Sequence, residues 1–145
     1  MIRKASAQWQ GTGKEGSGSL TSTSGVLSAT PYSFNARFTS EDGKAGTNPE
    51  ELIAAAHAGC FSMALSFELG GAGFTPTELN TEAHLKMELE NGHFSIKSIH
   101  LVLNGKVEGI SEEKFIEIAN NAKKNCPVSR ALEAIEVTLE AHLVN

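Results

Sequence analysis

The sequence contains only two cysteines, Cys60 and Cys126, among 145 residues. They do not form a Cys-x-x-Cys pair, and the histidines show no spacing that would join them into a metal site, so we expect no metal. In a reducing cytoplasm, two cysteines are more often a catalytic or redox pair than a structural disulfide. The alternative is two inert buried thiols, because cysteine packs well as a small hydrophobic residue.

The chain also lacks the features of a nucleic-acid-binding or exported protein. Its formal net charge is −5 at pH 7, so it has no excess of basic residues with which to bind a phosphate backbone. After Arg3 and Lys4, the N-terminal sequence has no apolar stretch of the kind found in a secretory signal. We therefore expect a cytoplasmic protein with no nucleic-acid partner.

No strongly apolar run of ~20 residues is present, as a membrane span would require. The stretch from Leu52 to Leu69 is built more from Ala than from Leu, and it includes the polar residues His57, Ser62, Ser66 and Glu68. This pattern predicts a buried central helix of a soluble core and no membrane partner. With 40% apolar and 20% charged residues, the chain fits one domain, residues 1–145.

The first half of the chain predicts strands followed by the central helix. Alternation from Ala5 to Trp9 and the Thr- and Ser-rich segment from Ser19 to Leu27 indicate a hairpin. The intervening glycines have dinucleotide-loop spacing, but poor helix formers follow them, so we interpret them as a turn. Pro31 to Phe38 predicts a strand with Arg37 opposite its apolar face. The central helix should begin after Asn48, a good N-cap, and end at Gly70-Gly71.

The second half predicts a hairpin, two helices and a final strand. Asn91-Gly92 is a strong hairpin signal, and the apolar phase of the return strand slips near Lys97-Ser98, as a β-bulge would require. Ser111 suits the N-cap of a second helix and Pro127 the first position of a short third one. Alternation from Ile135 to Leu143 predicts the last strand. The fold class is therefore α+β.

Cys60 lies near the middle of the central helix, where the helix dipole has little effect. Burial alone would raise its pKa, so a reactive Cys60 needs a cation from another element. Arg37 is the best candidate, with Arg130 and the pair Lys123-Lys124 in reserve. His57, three residues before Cys60, permits a Cys/His nucleophile and base pair, although a core histidine with a satisfied hydrogen bond is the commoner role.

Three segments carry a specific resemblance: residues 48–52, the Ala-rich run that ends at 60–65, and Cys126-Pro127-Val128-Ser129. Together with residues 24–27 and 31–38, they resemble the osmotically inducible protein C (OsmC) and organic hydroperoxide resistance (Ohr) family across nearly the whole chain. The position of the arginine after the Pro-Tyr strand resembles the OsmC branch more than the Ohr branch. The resemblance implies antiparallel sheets wrapped around a long buried central helix in an intertwined homodimer.

The resemblance also implies a function. The family's function is that of a thiol-dependent peroxidase in oxidative or osmotic stress defence, which works without haem, flavin or another cofactor. Such an enzyme reduces organic hydroperoxides to alcohols, with hydrogen peroxide as a further candidate substrate. By position, Cys60 would be the peroxidatic thiolate and Cys126 the resolving thiol, which forms a disulfide with it for an external dithiol to reduce. Arg37 would stabilise the thiolate, and Glu50 would hold Arg37.

Spacing adds one hypothesis about this site. Glu50 precedes Cys60 by ten residues, which is roughly 15 Å along a helix. An arginine that contacts both must either bridge that gap or meet Glu50 of a second chain, so we expect a site shared across the dimer.

Two other functions remain open from the sequence. One is a Cys/His acyl-transfer enzyme with His57 as base. The other is a non-enzymatic, small-molecule-binding dimer whose thiols are inert.

Overall fold

The strands and helices follow one another along the chain in the order β1-β2-β3-α1-β4-β5-α2-α3-β6, with one π-helical segment between β3 and α1. A computed structural model describes all residues, 1–145. The strands are β1 (Ala5–Gln10), β2 (Ser17–Ser22), β3 (Thr30–Ser33), β4 (Pro76–Glu90), β5 (His93–Val107) and β6 (Glu136–Leu143). The helices are α1 (Pro49–Gly71), α2 (Glu112–Asn125) and α3 (Pro127–Ala131). The predicted α+β class is confirmed. The chain divides into two compact units, Met1–Leu52 and Ile53–Asn145.

The first unit contains an antiparallel sheet of β1, β2 and β3. The glycine-rich segment is a turn, as expected: the Gly16 N–H donates to the Thr12 carbonyl at 2.9 Å. In β2, Gly18 pairs with both Trp9 and Tyr32, and the rings of these two residues meet at a centroid distance of 5.3 Å. A Cβ at position 18 would lie 2.4 Å from the Tyr32 ring, so only glycine lets the rings meet there.

The predicted strand from Pro31 to Phe38 is wrong beyond Ser33. Ser33 pairs with Ser17, the first residue of β2, so β2 offers no backbone partner beyond it. The Ser33 hydroxyl then accepts the Ala36 N–H at 3.1 Å, a local bond that competes with strand pairing. Residues Asn35–Thr39 form a π-helical segment instead, and Arg37 extends from this segment.

Helix α1 begins where its sequence signals predict. The Asn48 Oδ1 accepts the Glu51 N–H at 2.8 Å, as an N-cap does. At the other end, Gly71 is the last helical residue, but the left-handed residue is Gly73, with φ +87°. The Phe74 N–H donates back to the Leu69 carbonyl at 2.9 Å, which closes the helix.

The second unit contains a sheet in the order β4-β5-β6. The antiparallel hairpin turns through Asn91 and Gly92, both with positive φ. Lys86 pairs with Ser98 and Met87 with Ile96, so Lys97 is the extra residue of the predicted bulge. Strand β6 pairs with β5 in parallel, which the sequence did not predict. The crossover through α2 and α3 makes this direction possible.

The core of the second unit lies between one face of this sheet, one stripe of α1 and the apolar face of α2. It consists mainly of Phe61, Leu65, Leu69, Ile99, Leu101, Leu103, Val107, Phe115, Ile118, Ala119 and Ala122. The α2 residues of this core recur at helical spacing and so form one face of that helix. Within one chain, however, α1 is buried on one stripe only, because Met63 is 64% exposed and Phe67 is 75% exposed.

Candidate active site

The two cysteines are free thiols in contact with each other. Cys60 is half-buried on α1, and Cys126 is fully buried. Cys126 links two helices: its N–H donates to the Ala122 carbonyl at 2.8 Å, and its carbonyl accepts the Arg130 N–H at 3.0 Å. This backbone anchoring fixes the Cys126 side chain within hydrogen-bonding reach of Cys60. Two reduced thiols that close to each other are candidates for disulfide formation.

Three influences act on the Cys60 thiol, and their net effect is a raised pKa. Burial is the largest and raises the pKa because it disfavours the thiolate. The backbone N–H of Val128 donates to the sulfur and lowers the pKa, whereas the neighbouring Cys126 raises it further. With these contacts alone, Cys60 is mainly a protonated, weakly nucleophilic thiol at neutral pH. A reactive Cys60 therefore needs a cation.

Arg37 and Glu50 form a bidentate ion pair in the first unit. The Arg37 Nη2 donates to Glu50 Oε1 at 2.7 Å, and its Nε lies 3.2 Å from both carboxylate oxygens. The Arg37 Cζ also lies 4.8 Å from the centre of the Phe38 ring. This pair is formed within one chain, and the expected sharing of the site across a dimer stays a prediction.

His57 is fully buried on the core stripe of α1 and is bonded to Ser129. Its Nε2 lies 2.7 Å from the Ser129 Oγ, and its Nδ1 has no partner. Burial lowers the pKa of His57, so the ring is neutral near pH 7. The structure therefore favours the core role for His57 over a Cys/His pair. No sequence signal identifies Ser129 as the partner of His57, since the two residues are 72 positions apart.

An aromatic groove in the first unit was missed by sequence reasoning. Its volume is about 800 Å³, and its main walls are Trp9, Tyr32, Phe34, Arg37 and Phe38. The Phe34 and Phe38 rings lie 4.9 Å apart, one turn of the π-helical segment from each other. These aromatics were expected on one face of a strand, and their convergence around Arg37 depends on the helical turn.

Comparison with known proteins shows to which family this chain belongs. The family model for OsmC-like proteins matches residues 41–140. Peroxiredoxin OsmC of Escherichia coli is 48% identical over 97% of this chain and 96% of its own length. The chain belongs to the OsmC family. The Ohr branch is also related to it: organic hydroperoxide resistance protein OhrB of Bacillus subtilis is 34% identical over 85% of this chain and 88% of its own length.

Solved structures of OsmC and Ohr proteins share its fold. The crystal structure of Bacillus subtilis OhrB matches with a TM-score of 0.74, covers 96% of this chain and 98% of its own, and is 29% identical. An OsmC-like protein of Mycoplasma pneumoniae, at 16% identity and a TM-score of 0.78, covers 100% of this chain and 99% of its own and supports the fold alone. In this soluble OsmC-like fold, α1 is a core helix, although its length and composition would also suit a membrane span.

No group of three or more His, Cys, Asp or Glu side chains is arranged to hold a metal ion. The candidate groups for chemistry in this OsmC-family chain are the Cys60–Cys126 pair, the Arg37–Glu50 pair and the aromatic groove.

Proposed function

We propose that this protein is a thiol-dependent peroxidase that reduces organic hydroperoxides to alcohols. The observation that carries the proposal is the contact between two free thiols, Cys60 and Cys126. The names of its relatives, a peroxiredoxin and organic hydroperoxide resistance proteins, support the same reaction class.

The reaction proceeds in three balanced steps. The Cys60 thiolate attacks the terminal peroxide oxygen, the O–O bond breaks, and the alkoxide leaves as an alcohol after taking a proton. The resulting sulfenic acid is attacked by the Cys126 sulfur, which forms the disulfide and releases water. An external dithiol then reduces the disulfide by exchange and is itself oxidised.

Arg37 supplies the cation that this chemistry needs. Because the surroundings of Cys60 in its own unit raise its pKa, a nearby guanidinium would restore the thiolate and polarise the peroxide. Glu50 engages the Nε and Nη2 of Arg37, which leaves Nη1 available to a ligand. Glu50 is thus a positioning residue for Arg37.

A homodimer is supported by the exposed apolar face of α1. One face of α1 is apolar and exposed, with its residues at helical spacing: Ala56, Gly59, Met63 and Phe67. An exposed apolar face of this kind usually has a protein partner. We infer that two chains cover this face symmetrically in a cytoplasmic dimer. The Arg37–Glu50 pair of one chain then serves Cys60 of the other, and each chain contributes one OsmC-like domain, residues 1–145.

A mixed dimer of Cys60→Ser and Arg37→Ala chains tests this shared site. In a shared site, one chain's Cys60 meets the other chain's Arg37, so the mixed dimer should regain about half of the wild-type activity. If each site belongs to a single chain, neither chain is complete and the mixture stays inactive. Each variant alone is the control.

The aromatic groove supports an organic substrate. Four aromatic side chains line it, and Arg37 is one of its three charged residues, with Lys14 and Glu15. An aromatic wall beside a guanidinium suits a hydroperoxide with an apolar tail. We expect a higher kcat/KM for an aryl or alkyl hydroperoxide than for hydrogen peroxide, which buries no tail.

Mass spectrometry tests the peroxidase reaction directly. One equivalent of cumene hydroperoxide should convert both thiols into a Cys60–Cys126 disulfide, with a mass loss of about 2 Da. Cys126→Ser should stop at a sulfenic acid that dimedone traps on Cys60. Two unmodified thiols after treatment of the wild-type protein would contradict the proposal.

A further inference from the structure

A buried hydrogen bond joins the two helices that carry the thiol site. His57 lies one turn before Cys60 on α1, and Ser129 follows Val128 on α3. Their side chains meet at 2.7 Å with both residues buried. Val128 is the residue whose backbone N–H donates to Cys60. The bond therefore connects the elements on both sides of the Cys60 sulfur.

The bond is unusual for its position. The same stripe of α1 continues as Phe61, Leu65 and Leu69, all fully buried, and an apolar residue at position 57 would fit that pattern. Burying two polar groups is costly unless they are bonded to each other. A hydrogen bond, unlike apolar packing, fixes distance and direction. Its presence among apolar neighbours points to a positioning role.

The tautomer follows from the partners. If Nε2 carries the proton and donates to the Ser129 Oγ, only a lone pair of Nδ1 lacks a partner. The other tautomer would leave an N–H donor buried without an acceptor, which costs more. The imidazole is thus a fixed, neutral donor that holds the Ser129 hydroxyl.

We propose that the His57–Ser129 hydrogen bond positions α3 against α1 and so holds the Val128 N–H and the Cys126 sulfur at Cys60. Helix α3 has only five residues, too few to be stable without tertiary contacts. Val128 and Leu132 pack on the core, but apolar contacts alone allow sliding. The proposal rests on the proposed function, because it concerns the two thiols of that reaction.

Substitutions that remove or retain the donor test this role. His57→Leu removes the donor, Ser129→Ala removes the acceptor, and His57→Gln retains an N–H close to the position of Nε2. Ser62→Ala is the matched control, since Ser62 on the same helix bonds to Thr81 on β4 at 2.8 Å and not to α3.

The measurement is the pH profile of iodoacetamide alkylation at Cys60 in the full protein, resolved by peptide mass spectrometry. In His57→Leu and Ser129→Ala, loss of the Val128 N–H should move the midpoint upward by about one pH unit, which is a tenfold lower thiolate fraction below the midpoint. His57→Gln should remain within about twofold of wild type at each pH. The double variant should shift no further than either single variant, because both remove the same bond.

Unshifted profiles in folded His57→Leu or Ser129→Ala, or additive shifts in the double variant, would overturn the inference. If His57→Leu fails to fold, the alkylation profile of Ser129→Ala, which is a smaller change, decides whether the inference holds. The alkylation profile does not depend on peroxide turnover. If peroxide leaves both thiols of the wild-type protein unmodified while the alkylation profiles of the variants shift as expected, the proposed function is disproved. The positioning of Cys60 by the His57–Ser129 bond would still hold.

Discussion

The Arg37 guanidinium and the Glu50 carboxylate are joined by a bidentate contact within one chain, with an Nη2–Oε1 distance of 2.7 Å. The Glu50 side chain is only 12% exposed and belongs to the first turn of α1. A partly buried carboxylate on a regular helix is a rigid anchor, so the orientation of the guanidinium is set before any substrate arrives.

Replacing Arg37 by lysine should lower kcat/KM for an organic hydroperoxide by about 10- to 100-fold. Lysine keeps the positive charge but cannot make the forked contact with Glu50, so the cation is no longer held in one orientation. Glu50→Gln should cause a smaller loss, because its amide oxygen still accepts one hydrogen bond. Steady-state kinetics check both, and an Arg37→Lys enzyme as active as wild type would exclude the orienting role.

The pH dependence of Cys60 alkylation should show whether Arg37 lowers the pKa of this thiol. Burial first, and then Cys126, raise its pKa against the opposing Val128 N–H. A raised pKa keeps the proton on sulfur to higher pH, so the thiolate fraction at neutral pH falls. In Arg37→Ala, the alkylation midpoint should thus lie above that of an ordinary thiol, about 8.5, and in wild type it should lie lower. Identical midpoints would mean that Arg37 does not act on the thiol.

His57 should make the protein less stable in acid. Burial lowers its folded-state pKa below the usual 6.5, so the unfolded chain binds the proton more readily. The stability from the neutral buried ring is complete above pH 6.5 and is lost as the pH falls toward the folded-state pKa. Denaturant titrations should show a shallower acid loss for His57→Gln. The same substitution at the exposed His93 of the β4–β5 hairpin is the control, and an unchanged slope in His57→Gln would contradict this assignment.

The glycine between Trp9 and Tyr32 should be required for the aromatic groove. A Cβ at Gly18 would lie 2.4 Å from the Tyr32 ring, 2.7 Å from the Trp9 ring and 2.8 Å from a backbone oxygen. Gly18→Ala should therefore lower the free energy of unfolding by about 1–3 kcal/mol. Gly13→Ala is the matched control, because nothing lies within 4 Å of its added Cβ. Equal stability of the two variants in urea would show that the rings separate freely.

Local signals in the sequence were enough for much of the fold. The Asn48 cap, the Asn91-Gly92 turn and the Lys97 bulge each depend on a few adjacent residues, and the structure confirms all three. The strand predicted through Arg37 was wrong because its end depends on where β2 stops, which alternation within residues 31–38 does not reveal.

Side-chain partners in the site were harder to predict than its members. Cys60 and Cys126 were identified as a pair, and they are in contact. The hypothesis of a shared site rested on the distance between Glu50 and Cys60 along α1, and the turn at Asn35–Thr39 brings Arg37 to Glu50 at the start of that helix. The His57–Ser129 bond joins residues 72 positions apart, and no spacing rule connects them.

The exposed face of α1 provides the last prediction. Met63 and Phe67 are 64% and 75% exposed and lie one helical turn apart, so a symmetric partner would bury both. Met63→Glu or Phe67→Glu would place charges in that interface, which is strongly unfavourable without a partner of opposite sign. Sedimentation should then show monomers where the wild type is dimeric, and peroxidase activity should fall in parallel, because a shared site requires both chains.

Val26→Glu is the control for that experiment. Val26 is also exposed, at 82%, but it belongs to the loop between β2 and β3 and not to α1, so the same charge there should leave the dimer intact. Monomeric Phe67→Glu protein that kept full activity would show that each chain holds a complete site. Dimer formation would then contribute to stability but not to catalysis, and the Arg37–Glu50 pair would have to serve Cys60 of its own chain.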